Sequence, residues 1–371
     1  MKITNIAIKT KTKNYSLIIG SNIIKKISKI LNSKKINFEK CLIVIDENIP
    51  LKFRKKLIKN LKSKIKIVHI FKVSEKNKNY KSINNIHNIL FKNRFNRDDC
   101  LISFGGGITG DVVGFSASTF KRGIKFINIP STLLSQVDSS IGGKTGINND
   151  FGKNLVGSFY QPEIVISDIE LLKSLPKREI ICGYAEILKS SLIEDLKKFN
   201  FLNSNIKKIL KLKSPFIEKA IINSCKLKKK IVEQDEKEKN LRKVLNLGHT
   251  FAHAYESTLN FSKKLNHGEA VIFGIKNAIK YSFDLNFLSK KNFELIRNHI
   301  LKIKLPNTLN KLFKEKDINK IIYFMKSDKK NSSKKINLVL LKDFGKIKIN
   351  YQISDLKLKK FLISELNNKN L

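Results

Sequence analysis

Short apolar runs alternate with helix-like segments along the first half of the chain. Strand-like runs cover 6–8, 15–19, 41–45, 65–71, 101–104 and 126–129, and apolar residues recur at helical spacing over 23–31 and 82–91. Buried strands that alternate with helices are typical of a parallel sheet covered by helices. The pattern therefore predicts an α/β domain with a parallel sheet over residues 1–175.

Helical periodicity dominates the second half of the chain. It covers 178–194, 206–212, 215–235, 244–255, 268–283 and 291–300, and a late strand-like pair, 336–341 and 346–351, surrounds Gly345. A chain of 371 residues is long enough for two domains, each with its own core. We therefore expect a mostly α-helical second domain over residues 176–371.

The charge balance is strongly basic. The chain carries 74 Lys and Arg against 31 Asp and Glu, a formal net charge of +43, and it contains no Trp. A charge of this size is found in nucleic-acid-binding proteins. However, the lysines are spread along the whole chain rather than gathered in one arm, which favours drift in an AT-rich genome. We expect no specific nucleic-acid partner, and a basic nucleic-acid-binding protein stays as the alternative from another functional class.

The spacing of the cysteines and the length of the apolar runs indicate the cellular compartment. Four cysteines lie far apart and form no C-x-x-C pair, and no run approaches about 18 uninterrupted apolar residues. The first residues are polar and lead into an alternating strand pattern rather than a signal peptide. We expect reduced thiols, no membrane span and a cytoplasmic protein.

A glycine-rich loop follows the fifth predicted strand. Four glycines fall within six positions, at Gly105, Gly106, Gly107 and Gly110, just before a helix-like run. Such a loop lets backbone N–H groups approach a pyrophosphate at a helix N-terminus. A tight strand-to-helix turn needs only one such glycine. Four glycines therefore favour a phosphate-bearing ligand, although the spacing is not the G-x-G-x-x-G of ordinary dinucleotide-binding domains.

Three of the six histidines lie close together. His249 and His253 are four residues apart, on one face of a predicted helix, and His267 follows soon after. Catalytic zinc takes three nitrogen or oxygen ligands and keeps one position open. A lone histidine is usually a core residue, but three clustered histidines favour a metal or catalytic site. Glu186 is the best candidate for an added carboxylate ligand.

A polar, glycine-rich segment occupies residues 136–154 and is unusually long for a connection. Long polar loops often carry function. Lys144 and Lys153 each follow a glycine, so their ammonium groups could reach an anion. In so lysine-rich a chain, these two residues are as well explained by exposure to solvent.

Taken together, these segments resemble the 3-dehydroquinate synthase family. The resemblance rests on 105–107 with 110–111, 136–140 with 142–144, 152–154, 246–251 and 267–270, which occur in the family's order. It is closest over 105–194 and 241–274 and extends more loosely to 328–330. It implies an N-terminal NAD-binding α/β domain, a C-terminal helical metal- and substrate-binding domain, and an active site between them.

The resemblance also implies an activity. Members convert 3-deoxy-D-arabino-heptulosonate 7-phosphate to 3-dehydroquinate and phosphate by transient oxidation, phosphate elimination, reduction and aldol closure. The expected cofactors are NAD and one divalent metal, zinc or cobalt, and we expect a homodimer. Another sugar-phosphate cyclase and a metal-dependent alcohol dehydrogenase of similar fold stay as alternatives.

Site residues follow from the same resemblance. The metal ligands would be Glu186, His249 and His267. The NAD contacts would be Asp46, Asn48, Lys81, Gly107, Ile108, Thr109, Gly110, Asp111, Ser131, Thr132, Asp138, Lys144, Lys153, Leu171, Leu172, Lys173 and Ser174. The substrate contacts would be Arg122, Lys144, Asn154, Lys189, Lys228, Arg242, Asn246, His253 and one of Lys329 or Lys330.

The chain departs from the family pattern most clearly ahead of Lys81. The family's Asp-Gly-Glu is Lys76-Asn77-Lys78 here, so the glutamate that would hold the adenosine ribose is missing. Lys78 cannot accept a hydrogen bond from a ribose hydroxyl, and a lost charge-assisted hydrogen bond costs about 1.5–3 kcal/mol. The sequence therefore predicts weaker NAD binding, and it predicts that Lys78→Glu would tighten it.

Overall fold

The computed structural model describes residues 3–326 and 335–367, which form two compact units. One unit comprises Met1–Ile180 and Ile221–Lys237, and the other comprises Ile181–Ala220 and Glu238–Leu371. The predicted substrate residue Lys329, like Lys330, lies outside the described residues.

The strands are β1 Thr4–Lys9, β2 Asn14–Gly20, β3 Lys40–Asp46, β4 Ile65–Phe71, β5 Cys100–Gly105, β6 Lys125–Pro130, β7 Lys144–Asn149, β8 Gly152–Phe159, β9 Ile164–Asp168, β10 Ile336–Asp343 and β11 Lys346–Ile353. The α-helices are α1 Ile27–Ser33, α2 Leu51–Asn60, α3 Tyr80–Lys92, α4 Gly107–Thr119, α5 Lys177–Glu194, α6 Leu196–Leu210, α7 Phe216–Gln234, α8 His249–Thr258, α9 His267–Asp284, α10 Lys290–Leu301, α11 Leu309–Leu312, α12 Ile318–Lys326 and α13 Asp355–Asn367.

Seven strands of the first unit form one sheet in the order β1-β2-β9-β6-β5-β3-β4. All neighbouring pairs are parallel except β1 and β2, which are antiparallel neighbours. The predicted parallel α/β architecture is confirmed. A short link can join antiparallel strands, whereas parallel neighbours need a longer crossover. At the far edge of the sheet, β4 leaves Ile65, Val68 and Ile70 exposed.

Both faces of this sheet are buried because successive strand residues point to opposite sides. On β3, Ile43 and Ile45 pack into a core with apolar residues of α1 and α2. Leu42 and Val44 pack into the other core with residues of α3 and α4. This two-sided burial explains why the strands read as continuous apolar runs rather than alternating patterns.

The glycine-rich segment after β6 is not the long loop that its composition suggested. Residues 144–159 form the antiparallel hairpin β7–β8, which packs against α4, and only the short stretch before it lacks a strand. Gly146 and Gly157 face each other across the hairpin, and a Cβ on Gly157 would lie 2.1 Å from the Thr145 carbonyl oxygen. The glycines therefore serve close backbone approach within a strand pair.

The second unit is built mainly from helices, with the antiparallel pair β10–β11 packed on them. The predicted helical character and the late strand pair are confirmed. Helices α8 and α9 pack closely because Gly248 and Gly274 meet at their crossing, where a Cβ on Gly274 would lie 2.0 Å from the Gly248 carbonyl oxygen. Within the described residues, no helix is both long and apolar enough to cross a membrane.

Candidate functional site

The glycine-rich turn joins the carboxyl end of β5 to the start of α4. Gly106 occupies the N-cap position of α4, where it has no side chain to cover the N–H groups of the first turn. A Cβ on Gly106 would lie 3.2 Å from Thr132, and one on Gly107 would lie 3.1 Å from Ser139 Oγ. The turn thus presents backbone N–H groups and the positive end of a helix to a cavity, a typical phosphate-binding arrangement.

That cavity is lined by the turn itself and by residues from the segment and hairpin that follow β6. Its lining includes Gly107, Gly110, Asp111, Ser139 and Lys144. Four of these five, all but Ser139, were predicted as NAD contacts. Ile108 and Thr109 belong to the same first turn of α4, where Thr109 is fully buried.

Other predicted NAD contacts lie at the carboxyl ends of neighbouring strands. Asp46 ends β3 and accepts hydrogen bonds from the Asn48 backbone N and Nδ2, at 2.8 and 2.9 Å. After β6, the Ser131 N–H donates to the Gly105 carbonyl at 2.8 Å, and Thr132 Oγ1 bonds Ser135 Oγ. Carboxyl edges of parallel strands are where ligands bind in open α/β sheets. Their assignment to NAD stays a prediction.

Five further predicted NAD contacts lie on the 3₁₀ turn after β9 and at the start of α3. Leu171 and Leu172 are buried on the 3₁₀ turn Ile169–Ser174, whereas Lys173 is exposed and pairs with Glu170. Ser174, also exposed, donates to the Leu171 carbonyl at 2.7 Å. The exposed Lys81 lies in the first turn of α3.

Asp138 lies beside a lysine of α7. Lys228 Nζ donates to the Asp138 carbonyl oxygen at 2.6 Å and to Oδ1 at 2.5 Å. Lys228 is a predicted substrate contact and is only 7% exposed. A buried ammonium needs such partners, because an isolated buried charge is very costly.

Lys78 occupies a place that the sequence did not predict. Its ammonium is almost fully buried and contacts the Asp111 carboxylate on α4 and Asn154 Oδ1 on β8. Burial raises the pKa of Asp111, and the Lys78 charge opposes that rise. Nearby, Glu75 pairs with Lys153 at 3.2 Å and accepts from Asn148 Nδ2 at 2.8 Å. The segment before α3 is thereby attached to the β7–β8 hairpin.

The remaining substrate residue of the first unit, Arg122, is exposed on the turn between α4 and β6. Its backbone φ is +65°, in the left-handed region that non-glycine residues seldom adopt. Asn154 also has a positive φ, +54°. Strained backbone of this kind is often found at functional sites.

In the second unit, the three predicted metal ligands come together. Glu186 lies on α5, His249 begins α8 and His267 begins α9. One ligand atom from each lies within 4.8 Å of the others, and Glu186 Oε1 is 3.5 Å from His249 Nε2 and 3.9 Å from His267 Nε2. The Glu186 side chain is 3% exposed. Three converging nitrogen and oxygen atoms are a suitable donor set for a divalent metal.

Hydrogen bonds on the outer side of the histidine rings fit a metal as well. His267 Nδ1 lies 3.0 Å from Glu256 Oε2, and His249 Nδ1 lies 3.4 Å from the Leu247 carbonyl oxygen. Metal-binding histidines usually donate their second ring N–H to such an acceptor, which fixes the tautomer and leaves the other nitrogen for the metal. Glu256 was missed from sequence. Its position on the same helix, seven residues after His249 and so on the same face, could have indicated it.

The cluster is electrostatically asymmetric. Burial and the nearby Lys189 charge lower the pKa of His249 to about 4. Burial would lower the pKa of His267 too, but Glu256 and Glu186 outweigh it and raise the value to about 9. Burial also opposes ionisation of Glu186, yet Lys189, His249 and His267 hold its pKa well below the usual range. The carboxylate therefore stays ionised, as a metal ligand must be.

The helices fix these ligands by local interactions. Asn266 caps α9 in a reciprocal capping box: its side chain accepts from Glu269 N at 2.9 Å, and Glu269 Oε2 accepts from Asn266 N at 3.0 Å. The box sets the start of α9 at His267. One turn before Glu186, Cys182 Sγ accepts from the Gly268 N–H at 3.2 Å. α5 and α9 are therefore joined next to two of the ligands.

Four other substrate contacts predicted in this unit lie beside the metal-ligand cluster or on the segment that leads into α8. Lys189 is buried against Glu186, and the His253 ring lies 5.4 Å from His249 and 6.3 Å from His267 between centroids. Arg242, which is buried, and Asn246 lie on the 3₁₀ segment Leu241–Asn246 that leads into α8. Their contact with a substrate stays a prediction.

Comparison with known proteins gives one consistent result. Residues 68–182 match the family model for the 3-dehydroquinate synthase N-terminal region, and residues 183–331 match that for the C-terminal region. The 3-dehydroquinate synthase of Pelagibacter ubique (strain HTCC1062) is 58% identical over 366 residues, covering 99% of this chain and 100% of that protein.

Solved structures agree on the fold. A 2-deoxy-scyllo-inosose synthase complexed with carbaglucose-6-phosphate, NAD+ and Co2+ superposes with a TM-score of 0.87 at 23% identity, covering 98% of this chain and 100% of the other. The 2-epi-5-epi-valiolone synthase of Streptomyces hygroscopicus with NAD+ and Zn2+ bound gives 0.84 at 19% identity, covering 98% and 99%.

Proposed function

Because the chain belongs to the 3-dehydroquinate synthase family, we propose that it converts 3-deoxy-D-arabino-heptulosonate 7-phosphate into 3-dehydroquinate and inorganic phosphate. The observation that carries the proposal is the convergence of Glu186, His249 and His267, with Glu256 behind His267. In the classification of enzymes, the activity is that of a carbon–oxygen lyase.

Two bound groups are part of the proposal. When bound, NAD would accept and return one hydride, and a zinc or cobalt ion would polarise neighbouring substrate oxygens and acidify the hydroxyl that is oxidised. Glu186, His249 and His267 would hold the metal ion. The N–H groups of the first turn of α4 would bind the pyrophosphate of NAD, and Asp46 and Asn48 would contact the cofactor at the end of β3.

The cationic residues would bind an anionic sugar-phosphate substrate. Lys189, Lys228 and Arg242 are buried, so their positive charges are poorly screened by water and attract an anion strongly. Exposed Lys144 and Arg122 would add to this set. Holding a flexible substrate at several charged anchors restricts its conformers, and that restriction contributes to rate.

His253 would exchange a proton with the substrate through its ring nitrogen. It shares a helix face with His249 and lies beside the metal-ligand cluster, but it is not one of the three residues whose ligand atoms converge there. Histidine suits this task because its ordinary pKa is close to neutrality.

The test is an assay of purified protein with the heptulosonate phosphate, NAD and zinc or cobalt. We expect phosphate release without accumulation of NADH, because the hydride is returned within each turnover. Stoichiometric NADH would instead identify a dehydrogenase, and turnover only with a different sugar phosphate would identify another cyclase.

A matched pair of variants tests the metal assignment in the same assay. We expect His249→Ala to lose both bound metal and activity, and His69→Ala, on the edge strand β4, to keep both. Full metal content in His249→Ala would refute the assignment.

The proposal includes a cytoplasmic location and a homodimeric state. Light scattering on the protein as it elutes from a size-exclusion column measures its mass in solution. A monomer at working concentrations would refute the homodimer.

A further inference from the structure

Glu236 is a buried carboxylate that belongs to none of the predicted sites. It lies two residues after Gln234, the last residue of α7, and is only 6% exposed. Its oxygens accept hydrogen bonds from the Thr12 backbone N–H at 3.2 Å, from the Thr12 hydroxyl and from Gln161 Nε2 at 2.8 Å. Burial opposes ionisation of Glu236, but these hydrogen bonds outweigh it and lower its pKa, so the carboxylate is charged near neutral pH.

Gln161 connects Glu236 to the glycine pair ahead of β7. The Gln161 side chain is buried, and a Cβ on Gly143 would lie 2.6 Å from its amide carbon, so the amide rests directly on the Gly143 backbone. Gly143 has a φ of +66°, and its carbonyl accepts from the Tyr160 N–H at 2.7 Å. Lys144 follows Gly143 directly and lines the cavity at the glycine-rich turn. Through Gln161, Glu236 therefore helps to fix the backbone that carries Lys144.

The same carboxylate fixes the end of α7, the helix that carries Lys228. Lys228 Nζ donates to the Asp138 carbonyl oxygen and to the Asp138 carboxylate, which holds the middle of the helix. Glu236 holds the chain roughly two helical turns later. Because α7 is attached at both points, Lys228 has a defined place relative to Lys144 within the first unit.

A second glutamate shows that attachment of α7 does not by itself require Glu236. Glu233, in the last turn of the helix, accepts the Lys9 N–H at 2.7 Å and so joins α7 to the end of β1. Glu236 differs because it also reaches Gln161, which is not part of the β1–β2 pair. Its contacts therefore join three segments: the β1–β2 turn, the end of α7 and the backbone ahead of Lys144.

We propose that Glu236 is a positioning residue that sets the spacing of Lys144 and Lys228, so that the two ammonium groups bind one anionic substrate together. The inference rests on the proposed function, which assigns both lysines to the substrate. Two cations held at a fixed spacing bind an anion more tightly than two cations on mobile segments, because less conformational freedom is lost on binding.

The KM values of two matched variants test the inference. Glu236→Met keeps the length of the side chain and removes both acceptors, and we expect it to raise the KM for the heptulosonate phosphate by about tenfold, the equivalent of one lost charge-assisted hydrogen bond. kcat should change much less, because a uniform loss of substrate binding raises KM alone. Glu233→Met is the matched control: it removes an attachment of the same helix but no contact with Gln161, and it should leave KM unchanged. An unchanged KM in folded Glu236→Met would overturn the inference.

A double-mutant cycle with Lys144 separates positioning from a purely structural role. Lys144→Met should raise KM by itself, and once Lys144 is lost there is no spacing left to set. Adding Glu236→Met should therefore raise KM no further. A structural role would lower the melting temperature and add its own effect on KM, so additive effects would overturn the inference. If Glu236→Met does not fold, Gln161→Met breaks the same link from its other end and carries the same comparison.

Calorimetric titration with inorganic phosphate keeps this inference distinct from the proposed function. If the unmodified protein does not turn over the heptulosonate phosphate, the proposed function fails, and phosphate then serves as the anionic probe of the two lysines. A higher phosphate dissociation constant in both Glu236→Met and Lys144→Met supports the spacing role. An unchanged constant in Glu236→Met, or an unmodified protein that binds no phosphate, overturns it.

Discussion

The contact between α5 and α9 at Gly268 gives a sharp test of how the metal cluster is held. An added Cβ on Gly268 would lie 2.2 Å from Cys182 Cα, 2.6 Å from its carbonyl oxygen and 2.8 Å from its carbonyl carbon. All three atoms belong to the backbone of α5, so no side-chain rotation can relieve the clash. In Gly268→Ala, the two helices must move apart.

The size of that movement follows from van der Waals contact. Carbon atoms pack at about 3.5–4.0 Å, so relief of a 2.2 Å approach requires a shift of more than about 1 Å. Overpacking of this kind costs about 1–3 kcal/mol in stability. His267 precedes Gly268 and Glu186 lies one turn after Cys182, so the same shift separates two metal ligands. Ligand distances in metal sites are held within about 0.2 Å.

We therefore expect Gly268→Ala to lower metal affinity by more than about tenfold. The loss of folding stability in the same variant would not by itself cause so large a loss of affinity. Competition with a chelator measures the affinity, and thermal unfolding of the metal-free protein measures the stability. Cys182→Ala is the matched control, because it removes the Sγ acceptor of the 3.2 Å hydrogen bond without adding volume at the crossing. A folded Gly268→Ala protein with unchanged metal affinity would refute the argument that this contact sets the ligand geometry.

Three other predictions follow from the structure. Glu256→Gln should weaken metal binding by about 10–100-fold, because the carboxylate no longer orients His267, and an unchanged chelator competition would exclude that role. His299 is buried against Tyr184 Oη at 2.8 Å, and burial lowers its pKa to about 3. Since the unfolded chain takes up a proton near pH 6.5 and the folded chain does not, stability should fall as the pH drops from about 6.5 towards 3. His299→Gln, which cannot titrate, should lose less stability over that range in denaturant titrations at several pH values, and parallel losses would contradict the assignment. Finally, if the charge of +43 has no specific partner, moderate salt should raise the melting temperature by screening repulsion; specific nucleic-acid binding that persists at physiological salt would overturn that view.

The sequence pattern predicted the helices and strands best where the local sequence and the burial in the folded domain favour the same structure. Buried strands such as β3 and β5 have continuous apolar runs, and α9 begins with a capping box and continues with helical spacing. The convergence of His249 and His267 followed from clustering in sequence. Glu186, far away along the chain, was named from the sequence only as the best candidate for a carboxylate ligand, and the family resemblance then made it a metal ligand, because no local pattern indicates a tertiary contact.

Other features depend on tertiary structure that one sequence does not reveal. The β7–β8 hairpin is rich in glycine and polar residues, which are typical of loops, and it forms a strand pair because it packs on α4. Helix α7 has uniform helical periodicity, yet residues 221–237 belong to the first compact unit. Lys78 resembled any other lysine, because burial is invisible in composition.

Two of the many lysines lie at the exposed edge strand β4, where their charge opposes aggregation. Ile65, Val68 and Ile70 are each at least 40% exposed on this edge, where an extended apolar strand can pair with another molecule. Lys66 lies within the same strand and Lys64 immediately before it, and both are exposed. Their charges oppose edge-to-edge association between copies of the chain, so the two lysines would keep the protein from aggregating during folding and at high concentration.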